Sequence, residues 1–203
     1  MMNAVRQEEP PVSMSSENTL GWALCFEVSL GLFALMIGSH LTEVWPAEHL
    51  EWPVGLMMIV WGIASALPLL FLMLGIRTVP WQPLADLTRF VDETLTPLFR
   101  GLHLGELALL SMAAGWGEEL LFRGLIQAQI SQSVNVLIGV LAASLLFALL
   151  HFITPAYLVM AFLISVYLGC LFWWFESLWV PILGHATYDF LILVYLRKTD
   201  RGE

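Results

Sequence analysis

Six stretches of this chain are apolar for about the length a helix needs to cross a bilayer, and this leaves few folds open to it. They run roughly Leu20–Leu41, Trp52–Ile76, Leu102–Gln127, Val134–Phe152, Pro155–Phe175 and Trp179–Leu196. Composition agrees: of 203 residues, 59% are hydrophobic and only 12% charged, against roughly 45–50% and a quarter in soluble domains. Between the second and third stretches, WQPLADLTRFVDETLTPLFRGL is amphipathic and carries enough charge to lie along the interface rather than cross. No internal repeat, low-complexity segment or separate soluble domain interrupts the pattern. The expected fold is therefore all-α, a polytopic integral membrane bundle of about six transmembrane helices plus one interfacial amphipathic helix.

The basic residues orient that bundle. Arg6 precedes the first stretch, Arg77, Arg89 and Arg100 lie between the second and third, and Arg197, Lys198 and Arg201 follow the last. With six spans these groups share one side, which the positive-inside rule makes cytoplasmic, together with both termini. The acidic loop TEVWPAEHLE and Glu176 fall opposite. Residues 1–19 are acidic and proline-bearing with no basic n-region, as in a short cytoplasmic tail rather than a cleaved signal. Residues 20–101 form a transmembrane hairpin with the interfacial helix, and 197–203 a short basic tail. A net charge of −9 argues against a nucleic-acid partner. Cys25 and Cys170, both in apolar runs, are expected to be buried free thiols.

Charges inside spans need a reason, because each costs about 2.5–3.5 kcal/mol at the bilayer centre on insertion scales. In GWGEELLFRG, Glu119 and Arg123 are four apart and can pair along one helix face, which leaves Glu118 pointing elsewhere without a local cation. His151 ends SLLFALLH, where it can simply bond a backbone carbonyl. In HATYD, His185 and Asp189 are four apart, so the carboxylate can orient the imidazole and stabilise its charged form. One free acid and two histidines on three helices can together hold and deprotonate a water. Glu27, about two turns into the first span near its cytoplasmic end, is expected to reach water or a basic neighbour, His103 and Glu106 to be interfacial, and Trp116, Trp173, Trp174 and Trp179 to serve packing or the interfacial belt.

These residues fall into an order. Glu118-Glu119-Leu-Leu-Phe-Arg123, then Phe147-Ala-Leu-Leu-His151, then His185-Ala-Thr-Tyr-Asp189 resembles the EExxxR, FxxxH and HxxxN/D motifs of the CAAX protease and bacteriocin-processing (CPBP, or Abi) intramembrane endopeptidases. The resemblance covers roughly 102–196, a catalytic transmembrane core. It implies peptide-bond hydrolysis within the membrane, with Glu118 as general base and His151 positioning and polarising the water. His185 and Asp189 would stabilise the oxyanion or orient the scissile carbonyl, and Glu119, Arg123 and Phe147 would support the site. The last motif often ends in asparagine; a carboxylate cannot donate to an oxyanion unless protonated, so Asp189 is expected to act through His185.

The resemblance also frames the cofactor and partners. No cofactor is the preferred expectation, since HExxH is lacking; in a metal enzyme Glu118, His151 and His185 would ligate zinc. The partners are a lipid bilayer and a membrane-anchored peptide or protein substrate, with a CAAX-like tail, a leader or a C-terminal sorting signal all open. The expected location is the plasma membrane of a prokaryote. A non-catalytic immunity or scaffold protein and a small proton-coupled carrier are the competing readings. One geometric difficulty stands: His151 closes its span and His185 opens its own, so straight helices would set them at different depths.

Overall fold

Local signals in the sequence start and stop each helix. The computed structural model describes residues 16–41, 46–50 and 54–201; residues 1–15, where most of the expected tail lies, and parts of the acidic loop fall outside the described residues. The helices are α1 (Ser16–Leu41), α2 (Leu56–Ile76), α3 (residues 82–99), α4 (residues 104–133), α5 (Val136–Leu150), α6 (Pro155–Phe175) and α7 (Trp179–Arg201). In α4 the expected charged neighbours of the interface act as a cap: Glu106 Oε2 accepts from the His103 backbone N–H at 2.6 Å, closing a capping box. Asn135 accepts from the Ile138 N–H to start α5, and Thr154 from the Tyr157 N–H to start α6 with Pro155 as its first residue. Glu176, left-handed at φ 50°, ends α6. The bounds of α6 are those the sequence led us to expect, because a threonine cap and an N-terminal proline leave little choice.

The fold is an all-α polytopic membrane bundle. Among the described residues, four helices are long and apolar enough to cross a membrane, over Asn18–His40, Leu56–Ile76, Pro155–Phe175 and Trp179–Lys198. Of the other two expected spans, α5 is a shorter apolar helix of 15 residues. The sixth, α4, runs past the expected end at Gln127 to Ser133 and is interrupted by a π segment over Leu120–Gln127. The helices that depart from the plain membrane pattern are thus the ones that carry His151 and Glu118.

Two apolar clusters mark the ends of the bundle. One joins Ala34 late in α1, Leu120 and Leu125 of α4, Phe172 late in α6, and Leu178 and Ile182 at the start of α7. The other joins Ile76 at the end of α2, Leu87 and Val91 of α3, Met160 early in α6 and Leu196 late in α7. The chain therefore runs up and down as the six spans require, with Arg77, Arg89, Arg100 and Arg197 grouped at the second end. Between the clusters, Phe122, Phe147, Ala148 and Ala161 pack α4, α5 and α6 together.

The outward faces are as oily as the inward ones: Leu56, Trp22 and Trp174 are 76%, 72% and 73% exposed. In water this would be an aggregating surface; in lipid it is the solvent-facing one. It also corrects one expectation. Cys25 and Cys170 are free, but both are exposed rather than buried, because in a membrane helix an apolar neighbourhood does not distinguish core from lipid face.

Candidate active site

Two glycines let neighbouring helices reach α4. A Cβ on Gly115 would lie 2.8 Å from the Ile182 carbonyl oxygen and 3.0 Å from the Ala186 nitrogen of α7, and one on Gly117 would strike the Glu27 carbonyl of α1. Only glycine permits such backbone contact on both sides, and small residues are what membrane helices use to approach closely. Immediately after this contact, α4 winds as a π-helix over Leu120–Gln127, so that the Ala128 N–H reaches back to the Arg123 carbonyl. Such segments are uncommon and concentrate at functional sites.

The expected ion pair forms. Arg123 Nη1 donates to Glu119 Oε1 at 3.0 Å, with the two side chains 1% and 0% exposed. Arg123 Nη2 donates to both the carbonyl and the hydroxyl of Ser165 on α6, at 3.0 and 2.9 Å. The guanidinium carbon lies 5.2 Å from the Phe147 ring centroid. Glu119 Oε1 also meets His185 Nδ1 at 2.8 Å. An ionised carboxylate only accepts, so Nδ1 is the donor and Nε2 is the nitrogen left for the site. The shortest contact to the imidazole therefore comes from Glu119, while Asp189 Oδ2 lies 3.4 Å from Nε2.

Glu118 points away from this network. His151 Nδ1 bonds the Phe147 carbonyl at 2.8 Å, the contact expected of a lone intramembrane histidine. A carbonyl can only accept, so Nε2 of the neutral ring turns its lone pair outwards. That Nε2 lies 3.6 Å from Glu118 Oε1, and His185 Nε2 lies 3.9 Å from Glu118 Oε2. The His151 ring stacks on Phe147, with centroids 4.1 Å apart and planes at 17°. Phe147 in turn meets Phe122 edge to face.

The depth difficulty is resolved by the shortness of α5. At about 1.5 Å per residue its 15 residues rise only about 22 Å. It stops at His151 beside Glu118, and residues 152–154 carry the chain onward to the start of α6, where Ala156 and Tyr157 pack near Leu196. His185, the seventh residue of α7, lies about 9 Å from that helix's opposite start. The two histidines meet because one helix ends early.

A cavity of about 230 Å³ leads away from these groups. Glu118, His151, His185 and Asp189 line one part of it, and Ile76, Leu87, Val91, Met160 and Leu196 another. Those five residues form the cluster at the arginine-bearing end, so the cavity extends towards that end and lies under α3. Both Asp92 oxygens accept from Arg77 Nη2, at 2.9 and 2.7 Å, and clasp α3 to the end of α2.

Comparison with known proteins falls on the same segment. The model of the type II CAAX prenyl endopeptidase Rce1-like family matches residues 100–191, which contain all three motifs. Over that segment, a little under half of the chain, the sequence is similar to the Rce1-like family. The uncharacterised protein YpbD of Bacillus subtilis (strain 168) is 27% identical over 155 residues, covering 72% of this chain and 73% of YpbD. No solved structure matches.

The Rce1-like segment does not contain everything that meets at Glu118. Glu27, expected to be near a membrane face with access to water, instead sits on α1 against Gly117, half-buried, with its Oε2 buried and without a hydrogen-bond partner. It interacts electrostatically with Glu118, His185, Asp189 and His151. The signal for it was present in the sequence: a carboxylate well inside an apolar span is a functional candidate by default. Among the described residues no group of three or more His, Cys, Asp or Glu is arranged to hold a metal ion.

Proposed function

We propose that this Rce1-like protein cleaves a peptide bond of a membrane-anchored peptide or protein by a glutamate-activated water. The observation that carries the reading is the Glu118 carboxylate facing the Nε2 atoms of His151 and His185, at 3.6 and 3.9 Å. Those separations exceed a direct hydrogen bond and suit groups that share a third partner. In this reading the partner is the attacking water.

Glu118 takes a proton from the water as its oxygen adds to the scissile carbonyl, and the carbonyl π electrons pass to oxygen. His185, held by Glu119 and protonated on both nitrogens, places its Nε2–H near the developing oxyanion. His151, fixed by the Phe147 carbonyl and ring, aligns the water. The tetrahedral intermediate then collapses, the C–N bond breaks, and Glu118 returns its proton to the leaving amine. Asp189 contributes through His185, by holding Nε2 in line.

The apolar lining of the cavity suits an apolar peptide segment, and its direction suits entry from the arginine-bearing end. By the charge bias that end is cytoplasmic in an integral membrane protein with both termini on the cytoplasmic side.

The test compares purified wild type with Glu118→Gln in detergent, on membrane-anchored peptides followed by mass spectrometry, with and without chelator. The expected result is cleavage by wild type alone, lowered in the variant by at least about 100-fold and indifferent to chelator. Cleavage abolished by chelator and restored by zinc would replace this mechanism with a metal-dependent one. Equal cleavage by Glu118→Gln would remove Glu118 from the chemistry.

A further inference from the structure

We propose that Glu27 of α1 is a positioning residue of this site, acting through Glu118. The inference rests on the proposed role of Glu118 as general base. Three observations lead to it, and Glu27 itself lies outside the family-matched segment 100–191.

The first is backbone contact. The Glu27 carbonyl abuts Gly117, the residue immediately before Glu118, so close that a Cβ there would collide with it. One turn further along α1, a Cβ on Gly31 would likewise run into the Trp116 ring. The register of α1 on α4 is therefore tightly set where Glu27 meets the residue before Glu118. The second is an unfilled valence: Glu27 Oε2 is buried and meets no protein hydrogen-bond partner. Buried polar atoms are almost always satisfied, by protein or by ordered water, and leaving a carboxylate oxygen bare is costly. The third is its company. The ionisable groups whose fields reach Glu27 are Glu118 from α4, His151 from α5, and His185 and Asp189 from α7. These are the residues placed in the site by the cleavage reading.

Together they give Glu27 a definite task. It is not among the residues that line the cavity, and its assigned part is to hold Glu118 from behind. Its free oxygen shares a hydrogen-bonded water with the Glu118 carboxyl and fixes that side chain from the α1 side, as residues behind the reacting groups do in metal and acid–base sites. Glu118 otherwise has only contacts beyond 3.5 Å on the histidine side. A general base with no firm bond of its own needs such a hold, because misplacement by even about 1 Å can cost about 100-fold in rate.

The experiment measures kcat and KM for wild type, Glu27→Gln and Glu27→Ala, with the folded fraction checked by size exclusion. Alongside it runs a thermal-unfolding cycle of Glu27→Gln, Glu118→Gln and the double variant. Glu27→Ala is expected to lower kcat about 10–100-fold and to leave KM within about twofold. Glu27→Gln keeps a hydrogen-bonding oxygen and should recover most of that loss. The Tm changes of the two single variants should fail to add by about 2–4 °C. Wild-type kcat in Glu27→Ala, or a loss matched by lost folded protein, overturns the proposal. Should Glu118→Gln still cleave, or wild type cleave nothing, the catalytic reading fails separately. The unfolding cycle then decides alone: additive Tm changes mean that Glu27 does not feel Glu118.

Discussion

Glu118 and Glu119 are adjacent in the chain and differ in almost everything else. Glu119 Oε1 is taken by Arg123 and His185, at 3.0 and 2.8 Å, and is part of the structure. Removing the guanidinium should be severe: Arg123→Met leaves the fully buried carboxylate with His185 Nδ1 against it but without its arginine, and should cost about 3–5 kcal/mol, seen as a large fall in unfolding temperature in detergent. Glu118→Gln should lose activity with little change in that temperature, which separates the two glutamates by measurement. At the other histidine, Phe147→Ala removes the surface on which His151 stacks and the ring near Arg123. It should cost about 3–5 kcal/mol as a core truncation and lower kcat beyond what lost folded protein explains. Asp189→Asn, which keeps an oxygen able to accept from His185 Nε2, should retain activity within about tenfold, whereas Asp189→Leu should not; initial-rate kinetics on one cleaved peptide would show it.

Among the elements, α4 and α3 do the positioning. In α4 the run GWGEE places a glycine towards α7 and another towards α1, and the π segment then turns Arg123 to Ser165 on α6. Gly117→Ala should therefore act on two things at once, lowering the unfolding temperature through the collision with Glu27 and lowering kcat by displacing Glu118. In α3, the Arg77–Asp92 clasp is half-buried and bidentate in its contacts. Asp92→Ala should speed amide exchange of residues 82–99 by roughly threefold to tenfold, the worth of about 1 kcal/mol. Unchanged exchange there would mean that apolar contacts of Leu87 and Val91 with Ile76, Met160 and Leu196 hold α3 alone.

For the whole molecule, lipid replaces water as the outer solvent, and this decides what exposure means. Cys25 and Cys170, exposed on spans α1 and α6, should react with a lipid-soluble maleimide in intact membranes and resist a charged one, by mass-shift assay. Reporters fused at the two ends should both be active only on the cytoplasmic side, since Arg77, Arg89, Arg100 and Arg197 gather at the end where α1 begins and α7 finishes. A reporter active outside would turn the bundle over and reverse the direction from which the cavity is reached.

Four of the six expected spans, the alternating direction of the helices, the amphipathic helix after the second and the pairing of Glu119 with Arg123 were legible in the sequence. Each depends on local matters: a length of apolar residues, a bias of arginines, a spacing of four on one helix. Two kinds of fact were not. Cys25 and Cys170 could not be placed, because apolar periodicity loses its meaning when both core and solvent are apolar. Nor could the company of Glu118. That Glu119 rather than Asp189 makes the shortest contact to His185, that α5 ends early enough for His151 to reach the same depth, and that Glu27 arrives from the far end of the chain are contacts between residues 33 to 91 positions apart. Helix spacing says which residues share a face. Only packing, through backbone contacts that Gly115 and Gly117 permit, says which faces meet.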